Sequence, residues 1–469
     1  MKTLSPKEIR EFSEYVRSPF FNKNEGVIKL FDHIKAFHPK FPEEKIVKEK
    51  VYSKVFPGAR YNDGFMRKCM FTLSSLAENY IIYKGLDIGS LNAKNLLLKE
   101  YYSRKNAALF NKTFYGIRAK LNEEKVLSSD FFYNGYISTF RNISFAAQHK
   151  LIDFSKFVKR NDIFEPFEYL SAHFLYTVMS LYEYYLNTQR MFSIKTDDAY
   201  FEKLINAFDP SILDKFPLLK IHNYLLSMLK DPDNEENFRT AKTLIKENED
   251  KIEQNQVENI YINLQNYCMR KVRSNRSEYS RELFEIYKME LDNTVYSDKN
   301  NISVVLYRNI VFTALHEKEI EFADGFTEKY TKYLAAENRE SNYHYVKAHI
   351  ALKKKAFDEM GKHLGKIRNL DEMLKNDIKS MYVLLYYETK AVSQFLSLID
   401  TFRHNLKNNK KLSEERKSVY NTFINFANRL HNLRDVFDEP KLKRLKTDIE
   451  ETENVINKGW LLEKVNEIL

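Results

Sequence analysis

The chain has 469 residues, of which 43% are apolar and 30% charged, so it is long enough for several domains and too hydrophobic for intrinsic disorder. Its formal charge of +10 is unevenly spread, because the first 160 residues carry 29 Lys and Arg against 16 Asp and Glu. Two distant cysteines, Cys69 and Cys268, exclude a disulfide framework, and no apolar run suits a signal sequence or a membrane span, so we expect a cytoplasmic protein.

A helix is predicted at the start of the chain. Ser5-Pro6-Lys7-Glu8 offers a capping hydroxyl, a proline at the first helical position and a carboxylate that reaches back to the cap. Ile9, Phe12 and Val16 follow at helical spacing, and Ser18-Pro19 ends the segment. Five of the ten prolines fall before residue 58, so we predict a compact cluster of short helices here.

Longer helices are predicted downstream of that cluster. Apolar side chains recur every three or four residues from Asn62 to about Tyr83, from near Leu91 to Leu121, from Asp130 to about Gln148 and from Pro166 to about Met191. In the last of these helices the predicted apolar stripe is Phe167, Leu170, Phe174, Val178, Leu181, Tyr185 and Leu186. No alternation of period two persists long enough for a strand, so we predict an all-α protein.

The region after Thr196 contains a succession of similar helical units. No proline occurs between Pro232 and Pro440 and no glycine between Gly135 and Gly325, so the two residues that most readily interrupt a helix are missing there. Short polar connectors separate the helices at Asp231–Asn234, Ser274-Asn275, Ser297–Asn301 and Asn408-Asn409. A series of helix, short turn and helix predicts stacked helical hairpins.

One helical pair is the clearest unit of this series. Asn342–Leu352 places apolar or small residues at helical spacing, and Ala356-Phe357 opens a second helix. In Tyr343, Ala348 and Ala356 the sequence resembles tetratricopeptide-like (TPR-like) repeats, whose two antiparallel helices meet through small residues. The resemblance implies an α-solenoid that binds protein segments along its concave side.

Three domains are predicted from this organisation. Residues 1–160 form a basic α-helical domain, residues 161–438 a TPR-like α-solenoid, in which the resemblance covers about 252–433, and residues 439–469 the C-terminal capping helices. A charged helix begins after Pro440 and ends near Lys458-Gly459, and a short amphipathic helix follows from Trp460. Solenoids need such caps because an end unit would otherwise expose its stacking face.

The sequence contains no motif for catalysis or cofactor binding. The pairs Gly85/Gly89 and Gly361/Gly365 match neither a Walker loop nor a dinucleotide-binding loop. A His-Glu-x-x-His zinc motif and a Gly-x-Ser-x-Gly nucleophile elbow are also missing. We therefore predict a non-enzymatic protein without cofactor or metal. An enzyme whose site is assembled from distant residues is a third class that these motifs do not test.

The leading functional prediction is a protein-interaction or scaffold protein that binds a peptide or a partner helix on its helical-repeat surface. The prediction depends on the stacked amphipathic helical pairs, on the missing catalytic motifs and on the 31 tyrosines. A tyrosine ring can bury apolar area while its hydroxyl stays exposed to solvent at the edge of an interface. The predicted partner-binding residues are Tyr343, Tyr382, Tyr386 and Arg403.

The alternative prediction is a nucleic-acid-binding or regulatory protein that acts through its basic N-terminal third. Residues 1–160 carry a net charge of +13, and the remainder of the chain carries −3. Cations interleaved with aromatic residues suit single-stranded nucleic acid, because phosphates pair with cations and bases stack on rings. The predicted nucleic-acid contacts are Arg60, Arg67, Lys68 and Arg104. An amphipathic helix with an aromatic core and a basic surface would show the same residues.

Overall fold

A computed structural model describes the chain at residues 1–123, 126–149, 162–192, 198–294, 296, 301–368, 372–410, 412–434 and 436–469. In these residues the backbone forms 23 α-helices, three short 3-10 helices and no β-strand, which confirms the predicted all-α class. No helix in the described ranges is both long enough and apolar enough to span a membrane.

The helices follow one another with short connections. The first eleven have the bounds α1 Pro6–Arg17, α2 Glu25–Lys35, α3 Lys48–Val55, α4 Asp63–Gly85, α5 Leu91–Ser103, α6 Ala107–Glu123, α7 Ser129–His149, α8 Glu165–Phe192, α9 Ala199–Ile205, α10 Ser211–Lys215 and α11 Pro217–Lys230. The other twelve have the bounds α12 Glu235–Asn248, α13 Gln254–Arg273, α14 Glu278–Asn293, α15 Val304–His316, α16 Ile320–Tyr330, α17 Ala336–Lys353, α18 Phe357–Leu364, α19 Glu372–Glu388, α20 Val392–Asn408, α21 Glu414–Arg434, α22 Glu439–Glu451 and α23 Lys458–Ile468.

The chain divides into two compact units. Unit 1 consists of Met1–Leu181 and Asp197–Leu219, and unit 2 of Tyr182–Thr196 and Lys220–Leu469. The domain boundary predicted after residue 160 lies outside the described residues, as does the predicted connector Ser297–Asn301 except for its last residue. The boundary predicted after residue 438 stays a prediction.

Unit 1 begins with the predicted cluster of short helices. The Ser5 side chain accepts a hydrogen bond from the Glu8 amide, and the Glu8 carboxylate accepts one from the Ser5 amide at 2.7 Å, so both donors at the start of α1 are satisfied. Buried side chains from α1, α2, α3 and α4 then share one apolar core, whose fully buried members include Phe12, Phe31 and Cys69. Burial of these faces, rather than helix propensity, stabilises helices this short.

Unit 2 is a series of helical pairs. α13 packs on α14, α15 on α16, α17 on α18 and α19 on α20, and each second helix also contacts the first helix of the following pair. Two further contacts join helices two places apart in the series, α15 with α17 and α19 with α21. The last helices continue this packing, because Leu461 and Val465 of α23 are fully buried against α21 and the Trp460 indole donates to Glu388 Oε1 at 2.7 Å.

The turns within these pairs share one backbone conformation. A residue with positive φ lies two positions after the last residue of the first helix, and the amide that follows it donates to the carbonyl five residues back, over 2.8 to 3.1 Å. This is the Schellman arrangement, which satisfies carbonyls that the end of a helix leaves open. The positive-φ residues are Lys105 in the α5–α6 turn, Asn275 in the α13–α14 turn, Lys318 in the α15–α16 turn, Lys355 in the α17–α18 turn and Lys390 in the α19–α20 turn.

Two predicted helix boundaries are wrong. The single helix predicted from Leu91 to Leu121 is the pair α5 and α6, because Lys105 adopts φ 54° and reverses the chain. The charged helix predicted to end near Lys458-Gly459 already ends at Glu451. Its buried stripe is Leu442, Leu445 and Ile449, and the next position of that stripe holds Thr452, a polar β-branched residue of low helix propensity, at which the helix is capped.

The apolar stripe predicted for the helix from Pro166 is partly wrong. Val178 and Leu186 are buried as predicted, but Phe167, Leu170 and Leu181 are exposed, Phe167 by 63%. The buried positions include Leu175 and Met179 instead. Apolar residues occur on all sides of this helix, so the spacing of apolar residues alone does not show which face is buried. Its neighbours in the tertiary structure make that selection.

We expect the substitution Lys390→Gly to stabilise the protein by about 0.5–1 kcal/mol. Lys390 holds φ 57°, where a β-carbon crowds the backbone and glycine does not. Urea unfolding of the full chain measures the difference. Lys390→Ala is the matched control, because it removes the same side chain but keeps the β-carbon, and it should give no gain. Equal effects of the two substitutions would contradict the explanation.

A buried carboxyl in α14 gives unit 2 a pH dependence. Glu290 is only 3% exposed, and burial, aided by the negative charge of Glu258, raises its pKa to about 7. The Gln265 side chain donates to Glu290 Oε2 at 2.6 Å, which partly offsets that rise. In the unfolded chain this carboxyl ionises at its ordinary lower pKa. Its contribution to stability is therefore lost as the pH rises from about 4.5 to 7.

We accordingly expect Glu290→Gln to gain stability relative to the wild type as the pH increases. The neutral amide avoids burial of a charge, so the difference in unfolding free energy should be about 2 kcal/mol more favourable to the variant at pH 8 than at pH 5. Urea unfolding of both proteins at the two pH values gives this number. A difference that does not change with pH would show that Glu290 titrates normally.

Candidate protein-interaction site

A groove lies between α12 and α14, the helices on either side of α13 in the sequence. Its volume is about 890 Å³. Both helices contact α13, which lies between them in the sequence. Because both pack on α13, their surfaces lie close enough to form the two walls of the groove. We call this feature the α12–α14 groove, and its lining residues are Glu235, Phe238, Arg239, Lys242, Thr243, Lys246, Glu247, Arg276, Glu278, Tyr279 and Glu282.

The floor of the groove is aromatic. Phe238 of α12 stacks on Tyr267 of α13 with ring centroids 4.7 Å apart, and the Tyr279 ring of α14 meets both edge-on at 5.9 and 5.7 Å. Such contacts contribute beyond area burial, so the three helices are held together at this point. The Tyr279 hydroxyl also acts on the Glu235 carboxylate and is the main reason that the pKa of Glu235 is lowered.

The rim of the groove carries paired charges of both signs. Lys242 Nζ of α12 lies 2.6 Å from Glu282 Oε2 of α14 and connects the two walls. Arg276 contacts two carboxylates, Glu235 at 2.9 Å and Glu278. Its guanidinium also lies 5.7 Å from the centroid of the Tyr279 ring. The site therefore combines an aromatic floor with a polar rim, the composition typical of the centre and edge of protein interfaces.

A second cavity adjoins the groove at the turn between α13 and α14. It has a volume of about 430 Å³ and shares Arg276 with the groove. We call it the turn cavity, and its lining residues are Pro232, Asp233, Tyr267, Arg270, Lys271, Ser274 and Arg276. The Tyr267 hydroxyl donates to the Pro232 carbonyl at 2.9 Å, which fixes the connector before α12 against α13.

Lys271 is the most buried cation of the turn cavity. The residue is 8% exposed, and its ammonium lies over two rings, 5.6 Å from the Tyr267 centroid and 5.9 Å from that of Tyr279. Its carboxylate partner, Asp233, is 3.5 Å away with a side chain that is 97% exposed. Aromatic faces stabilise such an ammonium but accept no conventional hydrogen bond from it.

The four predicted partner-binding residues lie on α17, α19 and α20 and do not line the groove or the turn cavity. All four are partly exposed. The Tyr343 hydroxyl donates to Glu328 at 3.0 Å, and Arg403 donates to Asn425 Oδ1 at 2.9 Å. The Tyr382 and Tyr386 rings pack on each other with centroids 5.7 Å apart. The structure thus brings two of the four together, and their role in binding stays a prediction.

The four predicted nucleic-acid contacts are exposed residues of unit 1. Arg67 pairs with Asp63 at 2.7 Å one helical turn away, and Arg104 pairs with Glu100 in the same way. These partners offset two of the four positive charges, and exposed pairs within one helix are worth only a few tenths of a kcal/mol. Arg60 and Lys68 are exposed without such a pair among the described contacts of the chain.

Sequence reasoning missed the residues of the groove and the turn cavity. Both connectors that frame the turn cavity, 231–234 and 274–275, were predicted as connectors only. Arg270, Lys271, Arg273 and Arg276 place four cations within seven residues at the second connector, between Tyr267 and Tyr279. That concentration of cations and rings is the signal that could have identified the site.

No family model, curated protein or solved structure matches this chain. The described residues also contain no group of three His, Cys, Asp or Glu side chains that could hold a metal ion. A functional assignment therefore depends on the geometry of the groove and of the turn cavity.

We expect Tyr279→Phe to destabilise the protein by about 1 kcal/mol at neutral pH, because it keeps the ring but removes the hydroxyl that favours the charged form of Glu235. Tyr184→Phe is the matched control, since Tyr184 is 73% exposed and should change stability by less than about 0.5 kcal/mol. Urea unfolding at neutral pH measures both. Similar changes in unfolding free energy for the two variants would show that the Tyr279 hydroxyl does not stabilise the floor of the groove.

Proposed function

We propose that this chain is a non-enzymatic protein-interaction protein, an α-solenoid of TPR-like helical pairs that holds a peptide or a partner helix in the α12–α14 groove. The observation that carries the proposal is the groove itself, about 890 Å³ in volume with a floor of Phe238 and Tyr279. A cavity of this size accommodates several side chains of a bound segment, and aromatic residues beside arginine are the usual centres of binding energy.

The pairing of helices in unit 2 supports the solenoid part of the proposal. Contacts occur between successive helices and also between helices two places apart in the series, α15 with α17 and α19 with α21. The left-handed turn residues Asn275, Lys318, Lys355 and Lys390 recur at similar intervals. A chain of units that each contact their neighbours is what a stacked hairpin array requires.

The alternative of a scattered catalytic site finds less support. One acid-base pair of unit 2 is His222 with Glu183, in which His222 Nδ1 lies 2.7 Å from Glu183 Oε1, and the Asn263 amide donates to the same carboxylate. All three side chains are buried, so this group stabilises the interior and does not line the groove or the turn cavity. Buried polar networks of this kind commonly specify a unique core packing.

Thr243→Trp tests the proposed groove. Thr243 is an exposed groove residue of α12, so an indole there should fill the space without disturbing the core. Peptides selected from a random phage-displayed library on the wild-type chain should bind this variant at least about tenfold more weakly, measured by fluorescence anisotropy.

Thr401→Trp is the matched control, because Thr401 is also an exposed helical threonine but lies on α20 away from the groove. It should bind the selected peptides like the wild type. If the peptides bound the wild type, Thr243→Trp and Thr401→Trp equally, the binding surface would lie outside the α12–α14 groove. Selection that enriches no peptide, together with salt-sensitive binding of single-stranded nucleic acid, would instead favour the basic N-terminal third.

A further inference from the structure

We infer that a pocket between α14 and α16 receives one apolar side chain of the peptide partner, about the size of leucine, and that Gly325 keeps this pocket open. The inference rests on the proposed function and adds a second contact for the same partner. We call this feature the α14–α16 pocket, and its lining residues include Leu291, Asp292, Phe322, Gly325, Phe326 and Lys329.

The pocket has room for one apolar side chain. Its volume is about 190 Å³, and an apolar cavity of about 150 Å³ is enough to hold a benzene molecule. Leu291 and Phe326 form buried walls. Phe322 of α16 meets Phe284 of α14 edge-on with ring centroids 4.9 Å apart, so the two helices are in direct contact beside the pocket. A pocket that is formed before the partner binds costs less conformational entropy to fill.

Gly325 is the residue of the pocket that the packing of the chain does not explain. It is the sixth of the eleven residues of α16, where glycine is less favourable than alanine because it loses more backbone freedom on folding. A β-carbon at Gly135 of α7 would lie 2.6 Å from the Tyr169 ring, so packing requires that glycine. A β-carbon at Gly325 would meet no neighbouring group within 4 Å. The missing side chain therefore leaves space for a group from a partner.

The mouth of the pocket carries one charge of each sign on opposite walls. Asp292 of α14 and Lys329 of α16 are exposed, and neither forms an ion pair within the described residues. The third lining charge, Lys288, is already paired with Glu285 at 3.1 Å. Complementary charges give an interface specificity. The occupant that fits is therefore a leucine-sized side chain with an acidic and a basic residue beside it, and no net charge is required of the partner.

The pocket and the α12–α14 groove lie along the same helix. Glu282 of α14 lines the groove, and Lys288, six positions later, lines the pocket. Six residues of an α-helix span about 9 Å, a distance that about three residues of an extended peptide cover. One short segment can therefore place groups in the groove and in the pocket at the same time.

The peptide Ac-Glu-Leu-Lys-NH₂ tests the pocket independently of the groove. The full chain is deuterated and labelled with ¹⁵N-glycine, which gives one amide signal for each of its eleven glycines, and Gly325→Ala identifies the signal of Gly325. We expect the peptide at millimolar concentrations to shift this signal saturably. Ac-Glu-Ala-Lys-NH₂, which lacks the large apolar side chain, should leave the signal unchanged. Ac-Gln-Leu-Gln-NH₂, which lacks the charges, should bind more weakly.

Glycine variants separate binding from stability. Gly325→Ala places a methyl group in the pocket and Gly325→Leu a whole side chain. Ac-Glu-Leu-Lys-NH₂ should bind the first about threefold and the second at least about tenfold more weakly, measured by saturation-transfer NMR on the leucine methyl groups of the peptide. Gly325→Ala should nevertheless raise the midpoint of urea unfolding, because alanine favours the helix.

Gly116→Ala is the matched control. Gly116 is an exposed glycine inside α6, and a β-carbon there also meets no neighbouring group within 4 Å. This variant should raise the midpoint of urea unfolding in the same way as Gly325→Ala, but it should bind Ac-Glu-Leu-Lys-NH₂ like the wild type. Equal loss of peptide binding in both alanine variants would show that Gly325 has no particular role in the pocket.

Three results would overturn the inference: no shift of the Gly325 signal by Ac-Glu-Leu-Lys-NH₂, an equal shift by the alanine peptide, or unchanged binding by Gly325→Leu. Equally tight binding of the neutral peptide would overturn the choice of charged neighbours. The phage-selected peptides report on the groove. If they bind Thr243→Trp like the wild type while Ac-Glu-Leu-Lys-NH₂ still shifts the Gly325 signal, the groove fails and the pocket stands. If they bind Thr243→Trp weakly and Gly325→Leu like the wild type, the groove stands and the pocket is not part of the partner's site.

Discussion

The fold of unit 2 depends on the tight turn that reverses the chain within each helical pair. Asn275, Lys318, Lys355 and Lys390 have positive φ two positions after the end of a helix, and the next amide donates a hydrogen bond to a carbonyl five residues back. The bond satisfies a group that the helix end leaves open, and the reversal brings the apolar faces of the two helices into contact. Because the turns are short, the paired helices must be antiparallel neighbours, and each pair presents a surface to the next.

The candidate site follows directly from one of these turns. Asn275 lies between Ser274 and Arg276, both of which line the turn cavity, so the backbone reversal places a cation at the junction of the groove and the cavity. The aromatic stack of Phe238, Tyr267 and Tyr279 then joins three helices and also provides the faces over which the cations lie. Structural and recognition roles are therefore combined in the same few side chains.

Much of the fold was predictable because helix formation is encoded locally. The capping box at Ser5 and Glu8, the pair that begins at Asn342, and the connectors at 231–234 and 274–275 all carry local signals that the structure confirms. The break at Lys105 was not predictable, since lysine rarely adopts positive φ and no glycine marks the turn. The buried face of the helix from Pro166 was ambiguous because apolar residues lie all round it. The candidate site was missed because it joins Asp233 and Phe238 to Lys271 of α13, which lies more than thirty positions further along the chain.

The sequence by itself determined an all-helical chain, since the long stretches without proline or glycine and the three-to-four residue spacing of apolar side chains act within one helix at a time. Only the tertiary structure decided which face of each helix is buried, where lysine takes over the turn position that glycine usually holds, and which cations converge on a cavity. The physical reason is that these outcomes depend on contacts between segments distant in the chain. There, a side chain is fixed by the neighbours that exclude water from it, not by the residues beside it in the sequence.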